Sequence, residues 1–342
     1  MSRKIKLSDI AEALGVSTAT VSLALRNSGL VAASTRERIK DYAREMGYIY
    51  NRRAASLRTS KSGLVGVLVQ DIINPFYAEI LHAIELELER SGHTFLLSNH
   101  NDDLEKQRRG LETLLQLGAD GVIISPAIGT PASEIEMCEK NGMPCVLIAR
   151  TVDGVKVPSL RGDDAFGIGL ATNHLIALGH HRIAFIGGAD DTSTGRERYR
   201  GYTVAMKTAG LAVRPDWRII GPRTKRAGFD ATSEFLNLSD RPTAAVCWND
   251  LVAIGLMNGL ARAGLTPGTE ISVTGYDDLA EAEIAMPSLT TVWNGQSVVG
   301  ERAAKVLVSR ISGSEPTKPF ELIRPILRER DSTGIAHEIA LK

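Results

Sequence analysis

Residues 7–47 read LSDIAEALGVSTATVSLALRNSGLVAASTRERIKDYAREMG, and three short helical patterns crowd into them. Leu7, Ile10, Ala11 and Leu14 keep one face apolar until Gly15 breaks the run. A second pattern opens at Ser17, a good N-cap, and turns Thr20 or Val21, Ala24 and Leu25 inward. The third opens with Ser34-Thr35-Arg36-Glu37, the spacing of a capping box, and closes at Gly47. Two helices that cross steeply need a small residue at the contact, a permissive turn and an apolar knob, and Ala11, Gly15 and Val21 supply them. The other face of the second helix, Ser17, Thr18, Ala19, Ser22 and Leu23, is short enough to approach a groove closely. The segment therefore reads as a helix-turn-helix head.

Charge supports that reading. Residues 1–60 hold 11 basic and 5 acidic groups, a net +6, whereas the other 282 hold 29 and 35, a net −6. A basic head on a mildly acidic body suits a chain that touches a polyanion with one end. Hydrophobic residues make up 43% and charged residues 23%, an ordinary globular profile. No apolar run approaches the roughly 18 residues of a membrane span. The start, MSRKIKLSDIAEALG, has charge but no apolar block behind it, and Cys138, Cys145 and Cys247 form no metal or disulfide spacing. A cytoplasmic location is expected.

Residues 51–62 join head to body. The run NRRAASLRTS is too short for a stable isolated helix. Asn51 can cap it, Ala54 and Ala55 allow close packing of two copies, and Leu57 offers one apolar tip. A flexible linker and a helix ordered on DNA are both compatible with it.

From Leu64 onward, LVGVLV, TFLLS, GVIIS, CVLIA, RIAFIG, TAAVCW, ISVTGY and LTTVW read as buried strands. Amphipathic stretches near 76–91, 104–117, 164–178, 196–210, 226–237, 250–263 and 296–311 alternate with them. That alternation predicts parallel sheets covered on both faces, and the length predicts two lobes with a cleft. Expected bounds are 63–162 plus 293–322 for one lobe and 163–292 plus 323–331 for the other, with 332–342 as a tail. Ligands in such sheets sit beyond the carboxyl ends of the strands. That rule selects Gln70, Asp71, Ala149, Arg150, Trp248, Asn249, Asp250, Asp277, Asp278, Trp293 and Asn294. Amides, acids, an arginine and indoles suit a polyhydroxylated ring, although Asp250 and Asp278 could instead be helix caps and Trp248 a core residue.

No reactive constellation emerges. Gly167-Ile168-Gly169 lies within a helical pattern and lacks the third glycine of a dinucleotide loop, and there is no Walker A, HExxH or GxSxG sequence. His180-His181 reads as a turn pair, not a metal site. No cofactor and no enzymatic activity are expected.

The run from KLSDIAEALG to NPFYAEI, with LGHHRIAFIGG, RERYRGY, WNDLVAIG and ISVTGYDDL further on, resembles the LacI/GalR family of bacterial transcription regulators over nearly the whole chain. VSLAL, LIAR, CWND and the Trp293 segment are most similar to its maltose-regulator branch. The resemblance implies a core like that of periplasmic sugar-binding proteins. It places Thr18, Ala19 and Leu23 at base-reading positions and Ser17, Thr20, Ser22 and Thr35 at phosphates. Leu23 stands where many relatives have arginine, so their operator sequence does not carry over. Ala54 and Leu57 match the paired hinge helices, the leucine wedging a base step. Arg198, Asn249 and Asp277 match the main effector-binding residues, and Gln70, Asn74, Phe76, Arg223, Trp293 and Gln296 match variable pocket positions. Ala149 replaces an acid found in many sugar-binding relatives. Arg150, Arg198 and Arg223 together would favour a carboxylate or phosphate, whereas Trp248 and Trp293 would favour a neutral sugar face. The expected protein is a repressor of carbohydrate genes that binds double-stranded operator DNA as a homodimer and responds to a sugar or sugar acid. A periplasmic solute-binding protein would explain the body but not the head, and a carbohydrate oxidoreductase would lack its phosphate loop.

Overall fold

The computed structural model describes residues 5–26, 28–49, 61–238, 240–315 and 320–336. Its contacts divide the chain into two compact units, Met1–Ser62 and Gly63–Lys342.

In the first unit, α1 (Leu7–Leu14), α2 (Thr18–Leu25) and α3 (Ala33–Glu45) close around Ile10, Ala11, Val21, Ala24, Val31, Ile39 and Ala43. Gly15 takes φ 64°, the left-handed conformation that ends α1, and Ser17 caps α2 by accepting the Thr20 N–H at 3.0 Å. Arg38 reaches across from α3 to the Leu14 carbonyl at 3.2 Å. The capping box expected at Ser34 does not form. The helix starts one residue earlier, at Ala33, next to the buried Val31, so Ser34 and Glu37 lie inside the helix and Ala32 is a cap without a side-chain bond. Asp9 closes the first turn of α1 instead, accepting the Lys6 N–H at 2.9 Å.

The second unit contains two parallel sheets. The first is built from β1 (Leu64–Val69), β2 (Thr94–Asn99), β3 (Gly121–Ile124), β4 (Cys145–Ile148), β5 (Ser159–Gly162) and β11 (Phe320–Ile323), in the order β11-β5-β4-β3-β1-β2. The second joins β6 (Ile183–Ile186), β7 (Arg218–Ile219), β8 (Ala244–Cys247) and β9 (Ser272–Thr274), in the order β7-β6-β8-β9. Strands β10 (Thr291–Trp293) and β12 (Ile326–Arg328) form a separate antiparallel pair. The helices of this unit are α4 (Pro75–Arg90), α5 (Leu104–Leu117), α6 (Ala132–Lys140), α7 (Asp164–Ala177), α8 (Ser193–Thr208), α9 (Lys225–Leu236), α10 (Asp250–Arg262), α11 (Ala280–Ile284) and α12 (Gln296–Ile311). The chain passes from the first sheet to the second after β5. It returns through α12, whose Val299, Ala303 and Leu307 share a core with Ile80 and Ile84 of α4 and Val65 and Val67 of β1. Among the described residues, no helix is long and apolar enough to cross a membrane.

All eight expected strands are present, but β2 is not buried. It lies at the edge of its sheet with one neighbour, and Leu96 and Leu97 are each 40% exposed. Strands β5, β7, β11 and β12 and helices α6 and α11 escaped the sequence pattern. The expected tail is also corrected for residues 332–336. Ser332 is fully buried, accepting the Thr290 N–H at 2.8 Å and donating to the Val273 carbonyl at 2.6 Å. Gly334 donates its N–H to Ser272 Oγ at 3.0 Å, and Ala336 donates to the Leu178 carbonyl at 2.9 Å. Buried polar groups of the second sheet need partners, and this segment supplies them.

Candidate functional site

On the head, Ser17, Thr18 and Ala19 are exposed at the start of α2, and Thr20, Leu23 and Thr35 are half-buried. Ser22 is not outward as expected: it is 7% exposed. It stands three residues before Leu25 on one helical face, and packing draws that face toward the core. Asn51, Ala54 and Leu57 lie outside the described residues.

In the body, a cavity of about 370 Å³ opens between the two sheets. Just over half of its lining comes from segments that follow strands: Gln70 and Asp71 after β1, Asn101 and Asp102 after β2, Ala149 and Arg150 after β4, Pro222 and Arg223 after β7, Trp248 after β8, Asp277 after β9, and Asn294 after β10. Asn74, Phe76 and Tyr77 at the start of α4, Arg161 and Gly162 at the end of β5, and Asp164, Thr194, Arg198 and Thr224 complete it. Strained backbone gathers here. Five non-glycine residues among those described have positive φ, and four of them, Asn101, Asp102, Ala149 and Asp277, line this cavity. Two hydrogen bonds cross between the sheets beside it, from Thr151 N–H to Ser193 Oγ at 3.0 Å and from Thr194 Oγ1 to the Ala149 carbonyl at 3.1 Å.

Arg198 is the electrostatic centre. It is 3% exposed, and its Nε donates to Asp164 at 2.9 Å, Nη1 to the Trp248 carbonyl at 2.5 Å and Nη2 to Asp277 at 3.5 Å. Its guanidinium lies 4.0 Å from the ring centres of both Trp248 and Tyr276, which fixes its plane by cation–π contact. Burial raises the pKa of Asp164 and pushes Asp277 up to about 7, against the opposing pull of Arg198. Asp277 also accepts from Asn294 Nδ2 at 3.1 Å. On the first sheet, Asp102 grips Arg150 with both carboxylate oxygens, and Arg150 Nη1 also reaches the Pro126 carbonyl at 3.0 Å. Partial burial works to raise Asp102, but hydrogen bonding to Arg150 and its charge hold it below the usual carboxylate value. Arg223 pairs with Asp191, faces Trp248 at 5.1 Å, and has its pKa lowered by burial.

The structure thus brings together Gln70, Asn74, Phe76, Arg150, Arg198, Arg223, Trp248 and Asp277. It does not bring Asn249, Gln296 or Trp293 to the cavity wall. Asn249 caps α10 by accepting the Val252 N–H at 2.9 Å and holds the Arg223 carbonyl with Nδ2 at 3.3 Å. Gln296 donates to the Asp277 carbonyl. Trp293 lies half-buried on the β10–β12 pair, on the opposite side of the strand from the core residue Val292. Asp250 is not the cap of α10; its buried carboxylate accepts from Leu279 N–H at 2.7 Å and from Thr291 Oγ1, so it fixes the turn that carries Asp277. Asp278 is held by Arg330 at 2.7 Å.

Among the residues sequence reasoning missed, Asn101 and Asp102 obey the strand-end rule and could have been found by applying it to β2. Arg161 could not, because β5 itself was not seen. Four buried atoms of the lining have no hydrogen-bond partner among the described residues: Arg161 Nε, Arg223 Nε, Trp248 Nε1 and Asn294 Oδ1. Buried polar atoms are mostly hydrogen-bonded, so these four keep bonding capacity that a ligand in the cavity could use.

Comparison with known proteins covers both units. Residues 6–51 match the family described as bacterial regulatory proteins, lacI family, and residues 62–329 match periplasmic binding proteins and sugar binding domain of LacI family. The HTH-type transcriptional repressor PurR of Pasteurella multocida is 31% identical over 326 residues, covering 95% of this chain and 98% of that protein. The maltose regulon regulatory protein MalI of Escherichia coli is 33% identical over 288 residues, covering 84% and 83%. Similar identity to both does not single out a maltose branch. The crystal structure of the lac repressor dimer bound to operator and the anti-inducer ONPF superposes with a TM-score of 0.86 at 27% identity, covering 97% of this chain and all of that one.

Proposed function

The chain belongs to the LacI family, and from that premise we propose that it is a carbohydrate-responsive repressor that binds a near-palindromic operator as a homodimer in the cytoplasm. It is a DNA-binding transcription regulator and not an enzyme. One observation carries the reading: a helix-turn-helix head shares a chain with a body whose cavity is walled by two separate sheets. A ligand that touches both sheets binds one arrangement of the lobes better than another, and that difference is what an effector needs in order to change DNA affinity.

In this reading Thr18, Ala19 and Leu23 contact bases, while Ser17, Thr20 and Thr35 hold phosphates and set register. One head reads one half-site, so two-fold symmetry of the protein calls for an inverted repeat in the DNA. Residues 51–62 form the hinge, with Asn51, Ala54 and Leu57 at the DNA. The lobes comprise 63–162 plus 293–322 and 163–292 plus 323–331; the passages of the chain after β5 and into α12 support these bounds. Gln70, Asn74, Phe76, Arg198, Trp248 and Asp277 bind the effector directly, the aromatic faces taking C–H surfaces and the polar groups taking hydroxyls. Arg150 and Arg223 border it, and Asn249 and Gln296 hold its walls.

The test is selection of duplexes from a random pool with the full chain, followed by fluorescence anisotropy on the selected DNA with and without a panel of sugars and sugar acids. An inverted-repeat consensus whose affinity changes with one class of ligand is the expected result. A consensus without two-fold symmetry, or affinity indifferent to every ligand that alters tryptophan fluorescence, would refute the reading.

A further inference from the structure

The cavity's hydrogen-bonding capacity is lopsided. Three of its four carboxylates are paired with arginines, Asp102 with Arg150 and both Asp164 and Asp277 with Arg198, Asp277 also accepting from Asn294; Asp71 accepts the Ile73 N–H through one oxygen at 3.0 Å. Two of its four arginines are satisfied by these acids and by backbone carbonyls, namely Arg150 and Arg198. The other two each keep a buried Nε without a partner among the described residues. Arg161 is 7% exposed, and its guanidinium makes a 3.4 Å hydrogen bond to the carbonyl of its neighbour Gly162, a 3.6 Å ion pair with Asp164 and a 5.4 Å contact with the Phe320 ring, while its buried Nε has no hydrogen-bond partner among the described residues. That carboxylate is already committed to Arg198 at the shorter distance of 2.9 Å. Arg223 contributes a second guanidinium from the other sheet, bonded through Nη2 to Asp191. The unpartnered buried atoms of the lining tell the same story, three N–H donors, on Arg161, Arg223 and Trp248, against one acceptor on Asn294.

A neutral sugar's hydroxyls can accept from these donors, but each also brings an O–H that needs an acceptor of its own. A carboxylate accepts through two oxygens and donates nothing, and it is the group a guanidinium fork matches best. We propose that the effector carries a carboxylate, and that Arg161, with Arg223 from the opposite sheet, is the residue that selects it. Arg150 and Arg198, which also stand in the wall, are excluded from that role because neither keeps a buried donor without a partner among the described residues. A single negative charge fits better than a phosphate dianion. The four arginines and four aspartates of the wall cancel formally, and Asp191 beside Arg223 adds one more negative charge, so a dianion would meet the greater repulsion. The effector class is then a sugar acid such as a hexuronate. The inference rests on the reading of this cavity as the effector site.

Isothermal titration calorimetry on the full chain tests it, with D-glucuronate and D-galacturonate set against D-glucose, D-galactose and glucose 6-phosphate. Wild type, Arg161→Gln and Arg161→Lys are compared, each first shown by thermal melting to be folded. At least one uronate should bind at least about tenfold more tightly than its neutral twin and than the phosphate, the scale of one charged hydrogen bond. Arg161→Gln should erase that preference, and Arg161→Lys should restore part of it, keeping charge without the fork. Tighter binding of the phosphate than of either uronate would overturn the choice of carboxylate. So would a neutral hexose binding as tightly as its acid, or an unchanged acid affinity in folded Arg161→Gln. If the neutral hexose binds and Asp277→Asn weakens it, the cavity remains the effector site and only the carboxylate is refuted. Absence of heat from every ligand would remove both.

Discussion

Replacing Asp277 by asparagine should make the protein more stable at high pH and a poorer effector binder at the same time. Asp277 is 2% exposed, and burial raises its pKa to about 7 despite the neighbouring Arg198. In the unfolded chain an aspartate titrates near 3.9. The folded state therefore holds the proton more tightly than the unfolded state. This group's contribution to stability is complete below about pH 4 and is lost as pH rises toward 7. Three pH units at about 1.4 kcal/mol each give an upper figure of about 4 kcal/mol. Asp164 reduces the figure, because it shares Arg198 and ionises more readily once Asp277 is neutral. Asparagine keeps an oxygen in place for Asn294 and Arg198 but has no proton to lose.

Thermal melts of wild type and Asp277→Asn should then nearly coincide at pH 4.5 and separate at pH 8, the variant melting higher by several degrees and at most on the order of ten. Effector affinity should fall about tenfold at pH 8, where a charged acceptor becomes a neutral one. A difference in melting temperature that does not change with pH, or a wild type that is the more stable protein at pH 8, would refute the assignment of a raised proton affinity to this carboxylate.

Two further substitutions and a truncation test other parts of the structure. Ala19→Glu places a negative charge on an exposed position of α2, so operator affinity should drop at least about tenfold in anisotropy while the melting temperature stays within a degree or two. Gly201→Val should destabilise the body by about 2 kcal/mol or more in urea unfolding, because even a Cβ there would sit 2.3 Å from the Ala165 carbonyl oxygen and force α8 away from α7. Removal of residues 332–342 should cost stability on a similar scale. It leaves the Thr290 N–H and the Val273 carbonyl without Ser332, and an unchanged unfolding midpoint would return the segment to the status of a tail.

The elements that were legible in advance are those whose partners lie close in sequence or whose burial demands a long apolar run. Strand β1 is buried along nearly its full length by neighbours on both sides, and LVGVLV says so; Gly15, Ser17 and Gly47 mark helix ends by backbone chemistry that acts within three or four residues. Strand β5 is the opposite case. All four residues of SLRG are buried, yet only Leu160 is apolar, because the strand is enclosed by β4 on one side and by β11, more than 150 residues later, on the other. No local pattern reports a partner so distant. The same limit explains the division within the site. The strand-end rule reached Gln70, Arg150, Trp248 and Asp277 because their strands were visible, whereas Arg161 was hidden with its strand. The rule says where a residue stands and not what it touches. Asn249 and Gln296 stood at plausible positions, but each spends its side chain on the wall, one capping α10 and the other holding the Asp277 carbonyl. Charge behaved in the same way. Arg150, Arg198 and Arg223 looked alike as three cations beside a cleft; each is paired with an aspartate, and Arg223 differs in keeping a buried Nε without a partner among the described residues. Those differences between pairings depend on loops from two sheets meeting at one cavity, which no local sequence pattern reports.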